Sequence, residues 1–266
     1  MAYTTINKGS LYMNTVLNTG DNTSPKSITG VGFQPDWVWT KTRGNTNNHT
    51  LFDSVRGAGV AKELSSDTTA GEGGVDTTNY GYLSSFDSDG FTATTGAIGI
   101  NYYNATGSNY VNWNWKAGGT AVSNTDGSIT SSISANTTSG FSVVSWTADG
   151  GNATTVGHGL GSTPKIVIYK DRGVGTWYVL YTFVDGSQDY LVLNGTNASA
   201  GLDSATYGTA TSTTISNIGF TNGNNMIAYA FADVKGFSKM DSYVGNGSTD
   251  GTFVYTGFKP AFIMFK

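Results

Sequence analysis

The side chains best suited to acid–base or metal chemistry in this 266-residue chain are two histidines, His49 and His158, and two glutamates, Glu63 and Glu72. Glycoside hydrolysis needs two carboxylates flanking one bond. Glu63 and Glu72, the only glutamates, could supply such a pair. His158 lies in Gly157-His158-Gly159 and reads as a surface-turn residue. With no cysteine and a single other histidine, the chain lacks the donors for a zinc or iron centre. The turn Ser85-Phe86-Asp87-Ser88-Asp89-Gly90 has the oxygen density to hold Ca²⁺. No Gly-x-Ser-x-Gly elbow opens a helix, and no glycine-rich cradle ending in Lys-Ser/Thr is present. A Ser-His-Asp triad could be assembled on paper from His158, but serine and aspartate are too abundant for that to carry information. The expectation is therefore no catalytic residue, no bound metal and no cofactor. Recognition chemistry is better represented. Tyr102, Tyr103 and Asn104, in an aromatic and amide-rich stretch, and the pair Trp177-Tyr178 are candidates for surface recognition of sugars or proteins.

The element that must position these residues is an internal repeat. Gly-x-x-Pro-x-x-x-x-x-Lys occurs at Gly32/Pro35/Lys41, Gly161/Pro164/Lys170 and Gly257/Pro260/Lys266, and the first two copies run on to Lys-x-Arg-Gly. From Gly32 to Thr92 the first copy aligns without a gap on Gly161 to Thr221. Leu51 meets Leu180, Leu64 meets Leu193, and Gly90-Phe91-Thr92 meets Gly219-Phe220-Thr221. Glu63 and Glu72 then meet Val192 and Gly201, and Ser216-Asn217-Ile218-Gly219 lacks both carboxylates of the aspartate turn. A hydrolase pair or a calcium site would thus exist in one copy only. The first copy carries an insertion, roughly 96–110, before Val111-Asn112-Trp113-Asn114-Trp115, which matches Ile227 to Phe231. The third copy has only its opening, with Gly236-Phe237-Ser238 repeating Gly140-Phe141-Ser142.

Composition narrows the class. Only 12% of residues are charged, the net charge is −4, and the few Lys and Arg are scattered, so no basic stripe serves nucleic acid. Gly, Ser, Thr and Asn abound beside 13% aromatic residues, which suits short strands and turns. No apolar run approaches bilayer length and the start has no signal-peptide pattern, so the expectation is cytoplasmic synthesis without membrane insertion.

Trp37 to Thr40, Ile166 to Tyr169 and Phe262 to Phe265 each follow the repeat's proline as short runs apolar on both faces, and read as strands ended by a lysine at the water boundary. Further strands are expected over 141–146, 177–181, 190–193, 213–216 and 226–231, separated by turns such as Asp185-Gly186 and Asn222-Gly223. The alternation at Val111, Trp113 and Trp115 puts both tryptophans on one face, in the core, with Asn112 and Asn114 on the other. The fold class expected is all-β, tandem antiparallel β-sandwich of jelly-roll type. Residues 1–119 form the first sandwich, 120–139 a polar linker laid against a neighbouring sheet, 140–235 the second sandwich, and 236–266 the start of a truncated third. An unpaired aromatic edge at 262–265 would invite aggregation, so further chain or another subunit is expected to cover it.

Met1-Ala2-Tyr3-Thr4-Thr5-Ile6-Asn7, Gly32-Phe33-Gln34-Pro35-Asp36-Trp37-Val38-Trp39, Leu51-Phe52-Asp53-Ser54-Val55-Arg56-Gly57 and Asp87-Ser88-Asp89-Gly90-Phe91 together resemble a family of bacteriophage structural proteins. So do Trp115-Lys116-Ala117-Gly118-Gly119, Val122 to Ile129 and Gly157-His158-Gly159-Leu160-Gly161. That family, common in marine phages and often labelled tail-fibre-like, has tandem domains similar to concanavalin or lectin jelly rolls. The resemblance spans nearly the whole chain. It implies a non-enzymatic virion component, a tail or head fibre or decoration subunit, homo-oligomeric, contacting other virion proteins and a host-surface glycan or protein. It brings no catalytic residues. The alternatives from other classes are a carbohydrate-binding module or adhesin fragment, and a polysaccharide depolymerase.

Overall fold

The Gly-x-x-Pro turn launches a strand in the first two copies. Gly32 and Gly161 adopt φ of +87° and +68°, where a Cβ would be strained, and the strands Trp37–Thr42 and Ile166–Asp171 follow. The computed structural model describes residues 4–266, and Met1 to Tyr3 lie outside it.

Nearly every element is a strand, and all the ladders between strands are antiparallel. The first copy builds a four-stranded sheet in the order Met13–Thr19, Asn109–Trp115, Trp37–Thr42, Thr50–Asp53, and a three-stranded sheet of Lys26–Thr29, Gly90–Thr94 and Tyr82–Asp87. The second copy builds a two-stranded sheet, Thr155–Gly157 with Thr214–Ser216, and contributes to an eight-stranded one. That large sheet runs Ala200–Leu202, Gln188–Val192, Trp177–Tyr181, Ile166–Asp171, Asn225–Phe231, Phe141–Thr147, Ser131–Asn136, Val122–Asn124. The polar segment 120–139 thus supplies its last two strands.

Strand alternation sorts the side chains into three cores. Val38 and Phe52 face Ile28, Leu83 and Phe91 of the three-stranded sheet. Val144, Val167, Tyr169 and Ala228 face Val156 and Ile215 of the two-stranded sheet. Trp37, Trp39 and Trp115 of the first copy meet Phe141, Val143, Ile168, Trp177, Ile227 and Tyr229 of the second in a shared core. The two sandwiches are therefore stacked back to back as four layers, and their inner sheets are covered on both faces. This is why the central runs Trp37 to Trp39 and Ile166 to Tyr169 are apolar on both faces rather than alternating. Trp113 and Trp115 do share the face away from Asn112 and Asn114, but the two asparagines are also buried. Asn112 accepts from Thr40 Oγ1 (2.9 Å) and donates to Asn18 Oδ1 (2.8 Å), which offsets the cost of burying its amide.

Two features depart from the sequence reading. Gly219-Phe220-Thr221 does not form the counterpart of the strand Gly90–Thr94. Thr214–Ser216 takes that place beside Thr155–Gly157, because the second copy lacks the aspartate hairpin and Asn217 turns inward to accept from Trp146 Nε1 (2.8 Å). Phe262 to Phe265 is not a strand, since no described strand lies along it to complete a ladder. Phe262 instead packs edge-on against Trp113 and Trp115, with ring centroids 6.0 and 5.4 Å apart.

The shared core is pinned by charge. Trp37 stacks on Tyr229 (centroids 4.2 Å, planes 17° apart), and the Tyr229 hydroxyl donates to Asp53 Oδ2 of the first copy (2.8 Å). Arg56 Nε donates to the same oxygen (2.5 Å) and its Nη1 reaches Glu72 (3.3 Å). Glu72 in turn accepts from Arg172 Nε of the second copy (2.7 Å), so a continuous hydrogen-bonded chain crosses between the units. Burial opposes the Arg56 charge, but Asp53 and Glu72 more than offset it and hold the guanidinium protonated. We expect Trp37→Ala to cost about 3–5 kcal/mol and Tyr229→Phe, which strands part of the Asp53 carboxylate, about 1–3 kcal/mol. Guanidinium unfolding followed by tryptophan fluorescence and far-UV circular dichroism should show both losses in one coincident transition. Two transitions, only one of them shifted, would mean that the sandwiches fold independently.

Candidate functional site

The recognition candidates are placed deeper than their composition suggested. Tyr103 is buried in the first sandwich beside Phe91, and Asn104 is fully buried. Asn104 Nδ2 donates to Asp21 Oδ1 (2.6 Å) and Thr23 O (2.9 Å), while its Oδ1 accepts from Asp21 N (3.1 Å). The insertion thus plugs one end of the first sandwich rather than projecting from it. Trp177 is likewise a core residue, stacked with Tyr229, with its Nε1 donating to Ser65 O of the first copy (2.7 Å). These three are corrected from surface to core. A tryptophan opposite a tyrosine removes large apolar area from water, a stronger force than any surface role. Tyr102 and Tyr178 remain half-buried, Tyr102 against Tyr80 and Tyr178 against Tyr190 and Phe220, and no contact brings the two groups together.

The candidate acid–base groups are committed to packing. Glu63 is buried, accepts from Val75 N (3.0 Å) and Thr77 Oγ1 (2.5 Å), and burial pushes its carboxyl up. Glu72 is the ionic bridge between the units. Asp87 accepts from Ser85 and Thr92 hydroxyls and Asp89 from the Gly30 and Gly32 amides, so the aspartate turn fastens its own hairpin to the Gly-x-x-Pro turn. Among the described residues no group of three or more His, Asp or Glu is arranged to hold a metal. Asp36, equally buried, accepts from Ala117 N (2.7 Å), Gly119 N (3.3 Å) and Ser54 Oγ (2.8 Å), and anchors the passage between the copies. Sequence reasoning passed over Asp36, Asp53, Arg56 and Arg172 as functional residues. The available signal was that the first three have no like counterpart in the second copy, where Lys165, Thr182 and Asp185 stand.

The repeat's lysine is no solvated strand end. Lys170 is buried, donating to Gly173 O (3.2 Å) and Gly175 O (2.9 Å), and burial lowers its pKa to about 8. Lys41 donates to Thr42 O and Asn45 O (both 2.9 Å). In each case the ammonium closes the loop after the strand.

A shallow, open polar concavity of about 370 Å³ lies on the second unit, with Ser123, Thr130, Ser132, Ser145, Thr147 and Asn225 among its lining residues. Ser123 opposes Ser132 and Ser132 opposes Ser145, so the hydroxyls form one row across three strands on the face away from buried Trp146. Thr147 Oγ1 donates to Asn225 Oδ1 (3.2 Å) and Ser145 Oγ to Met226 O (3.0 Å). Such a neutral surface of donors and acceptors suits a polyhydroxyl ligand and offers no nucleophile-activating base.

His158 is fully buried and His49 half-buried. His158, expected in a surface turn, is buried, with Nδ1 accepting from Leu160 N (3.2 Å) and Nε2 against Thr211 O (3.3 Å), the pattern of a neutral ring. His49 Nδ1 accepts from Trp39 Nε1 (2.7 Å). Burial pushes both imidazoles below their ordinary 6.5. The unfolded chain therefore binds protons that the folded chain refuses, and this contribution, complete above that value, is lost as pH falls through it. We expect denaturation midpoints to decline from neutral pH to mildly acidic pH more steeply in the wild type than in His158→Gln. Equal slopes would show that His158 charges freely in the folded state.

No curated protein and no solved structure matches the chain. One family does match, over residues 8–266, covering both sandwiches, the hydroxyl-lined cleft and the third Gly-x-x-Pro turn: the chain belongs to the family described as Domain of unknown function (DUF7483).

Proposed function

We propose that the protein is a non-enzymatic structural subunit of a bacteriophage virion, a tail or head fibre or decoration protein that presents stacked β-sandwiches for assembly and host-surface attachment. The observation that carries this reading is the fusion of two repeat units through one aromatic core and one ionic chain that starts at the buried Asp53–Arg56 pair. A particle component must keep its shape outside the cell, and here rigidity is achieved without a single cysteine. Of the groups best able to do chemistry, Glu72 bridges the two units while Glu63 and His158 are each tied by hydrogen bonds inside their own sandwich, which supports a structural role over the depolymerase reading. Host contact would fall to the loops and to the open cleft, since binding residues on such scaffolds sit where backbone is exposed.

The hydroxyl row of the cleft favours a second reading, a carbohydrate-binding module. It predicts saturable glycan binding that Ser132→Leu, on an exposed position, abolishes without lowering stability.

Mass spectrometry and immunogold labelling of gradient-purified particles test the first reading. The protein is expected in stoichiometric amounts with the capsid and tail proteins and on the particle surface. Its absence from particles that retain their other structural proteins would overturn the assignment.

A further inference from the structure

Met13–Thr19 is the outer strand of the four-stranded sheet, and Asn109–Trp115 is its one strand partner among the described residues. Met13 opposes Trp115 as Phe141 opposes Phe231, so its counterpart in the second copy is Phe141–Thr147. That counterpart carries Ser131–Asn136 along its other side. The same edge of the same unit is thus covered by an antiparallel strand in one copy and bare among the described residues in the other.

The bare edge is ready for pairing. Lys116 N donates to Tyr12 O and Gly20 N to Ser108 O. By the alternation of antiparallel ladders, the even-numbered residues face inward and the backbone groups of Met13, Thr15, Leu17 and Thr19 face outward. Of these, Thr15 N–H meets only the Asn14 side chain (3.1 Å), a contact that a strand can replace. The strand contains no charge and no proline, the usual devices that block edge pairing. Leu17 is 60% exposed and the preceding Leu11 43%.

We propose that this edge is a homodimer interface in which Met13–Thr19 pairs antiparallel with Met13–Thr19 of a second copy about a twofold axis at Val16. A strand identical to itself closes by such a twofold without further partners. The register sets Thr15 opposite Leu17 and Met13 opposite Thr19, joins outward groups to outward groups, pairs all seven residues, and places no like charges across the axis. It converts two four-stranded sheets into one of eight, the size that the second copy's sheet reaches with the help of 122–136. The interface is independent of the virion assignment and survives if that fails.

Sedimentation equilibrium of the full chain should give a dimer at high micromolar concentration. Leu17→Lys, which sets two ammonium groups beside the axis, and Thr15→Pro, which removes an outward N–H and spares the inward ladder, should each weaken it at least about tenfold with unchanged thermal midpoints. Because opposed Cβ atoms lie about 4.5–5.5 Å apart, Val16→Cys in this cysteine-free chain should form an intermolecular disulfide on mild oxidation, a readout that stands even if one edge variant folds poorly. A monomer at high concentration, a dimer indifferent to both edge variants, or failure of Val16→Cys to cross-link would each overturn the proposal.

Discussion

The placement of Tyr229 is the constraint on which the rest of the molecule depends. Its ring lies between Trp37 of the first copy and Trp177 of the second, and its hydroxyl reaches Asp53. A phenol at that depth is stabilised by an acceptor, and an ionised carboxylate at that depth by a cation. Arg56 answers the second demand, donating to Asp53 through both its backbone and its side chain. The remaining guanidinium donors then require Leu51 O, Lys62 O and Glu72, which fixes the path of the loop from Asp53 to Glu72. Glu72 carries the chain of contacts on to Arg172. A buried pair of this kind contributes little net stability against an apolar substitute but is costly to break. Its consequence is geometric, because only one relative placement of the two sheets satisfies every member.

That placement explains why so many polar residues of the first copy are buried. Asp53 and Arg56 are buried along it and Glu72 is half-buried at its edge, and the second copy has Thr182, Asp185 and Gly201 at the matching positions. The two copies share strands and divide the labour at the junction. The tight approach of the loops makes the same point: a Cβ on Gly71 would meet the carbonyl oxygen of Gly173 at 2.7 Å, while Glu72 N donates to Arg172 O (2.7 Å) and Gly175 N to Thr69 O (2.9 Å).

Local signals and tertiary signals were unequally legible in the sequence. Strands such as Trp37–Thr42, Phe141–Thr147 and Trp177–Tyr181 could be read from β-branched and aromatic runs bounded by the Gly-x-x-Pro motif or by Asp-Gly and Asn-Gly turns, because those properties belong to the strand and its ends. Exposure could not. Tyr103 and Trp177 look like recognition residues in a chain rich in Tyr and Asn, and their burial depends on partners distant in sequence, among them Phe91 for Tyr103 and Ser65 for Trp177. Likewise nothing local to Phe141–Thr147 shows that the sheet continues through the polar Ser131–Asn136. The cleft escaped notice because serines at 123, 132 and 145 form a row only once the strand register is known.

Trp37, Ile166 and Phe262 occupy the same position of the repeat, two residues after its proline, and all three belong to the one aromatic core between the sheets. The third copy forms no strand there, yet Phe262 still makes its contacts with Trp113 and Trp115, and the repeat's lysine, Lys266, still finds loop carbonyls, at Val192 and Gly195. The order of dependence follows from the interactions. Edge-to-face aromatic contacts are worth about 0.5–1.5 kcal/mol each and need only one neighbour, whereas a strand needs a partner along its whole length before its backbone is satisfied. What the repeat encodes most strongly is therefore a residue that seeks this core and a cation that closes the loop beyond it. The strand between them is the consequence, and it forms where a neighbouring strand is present.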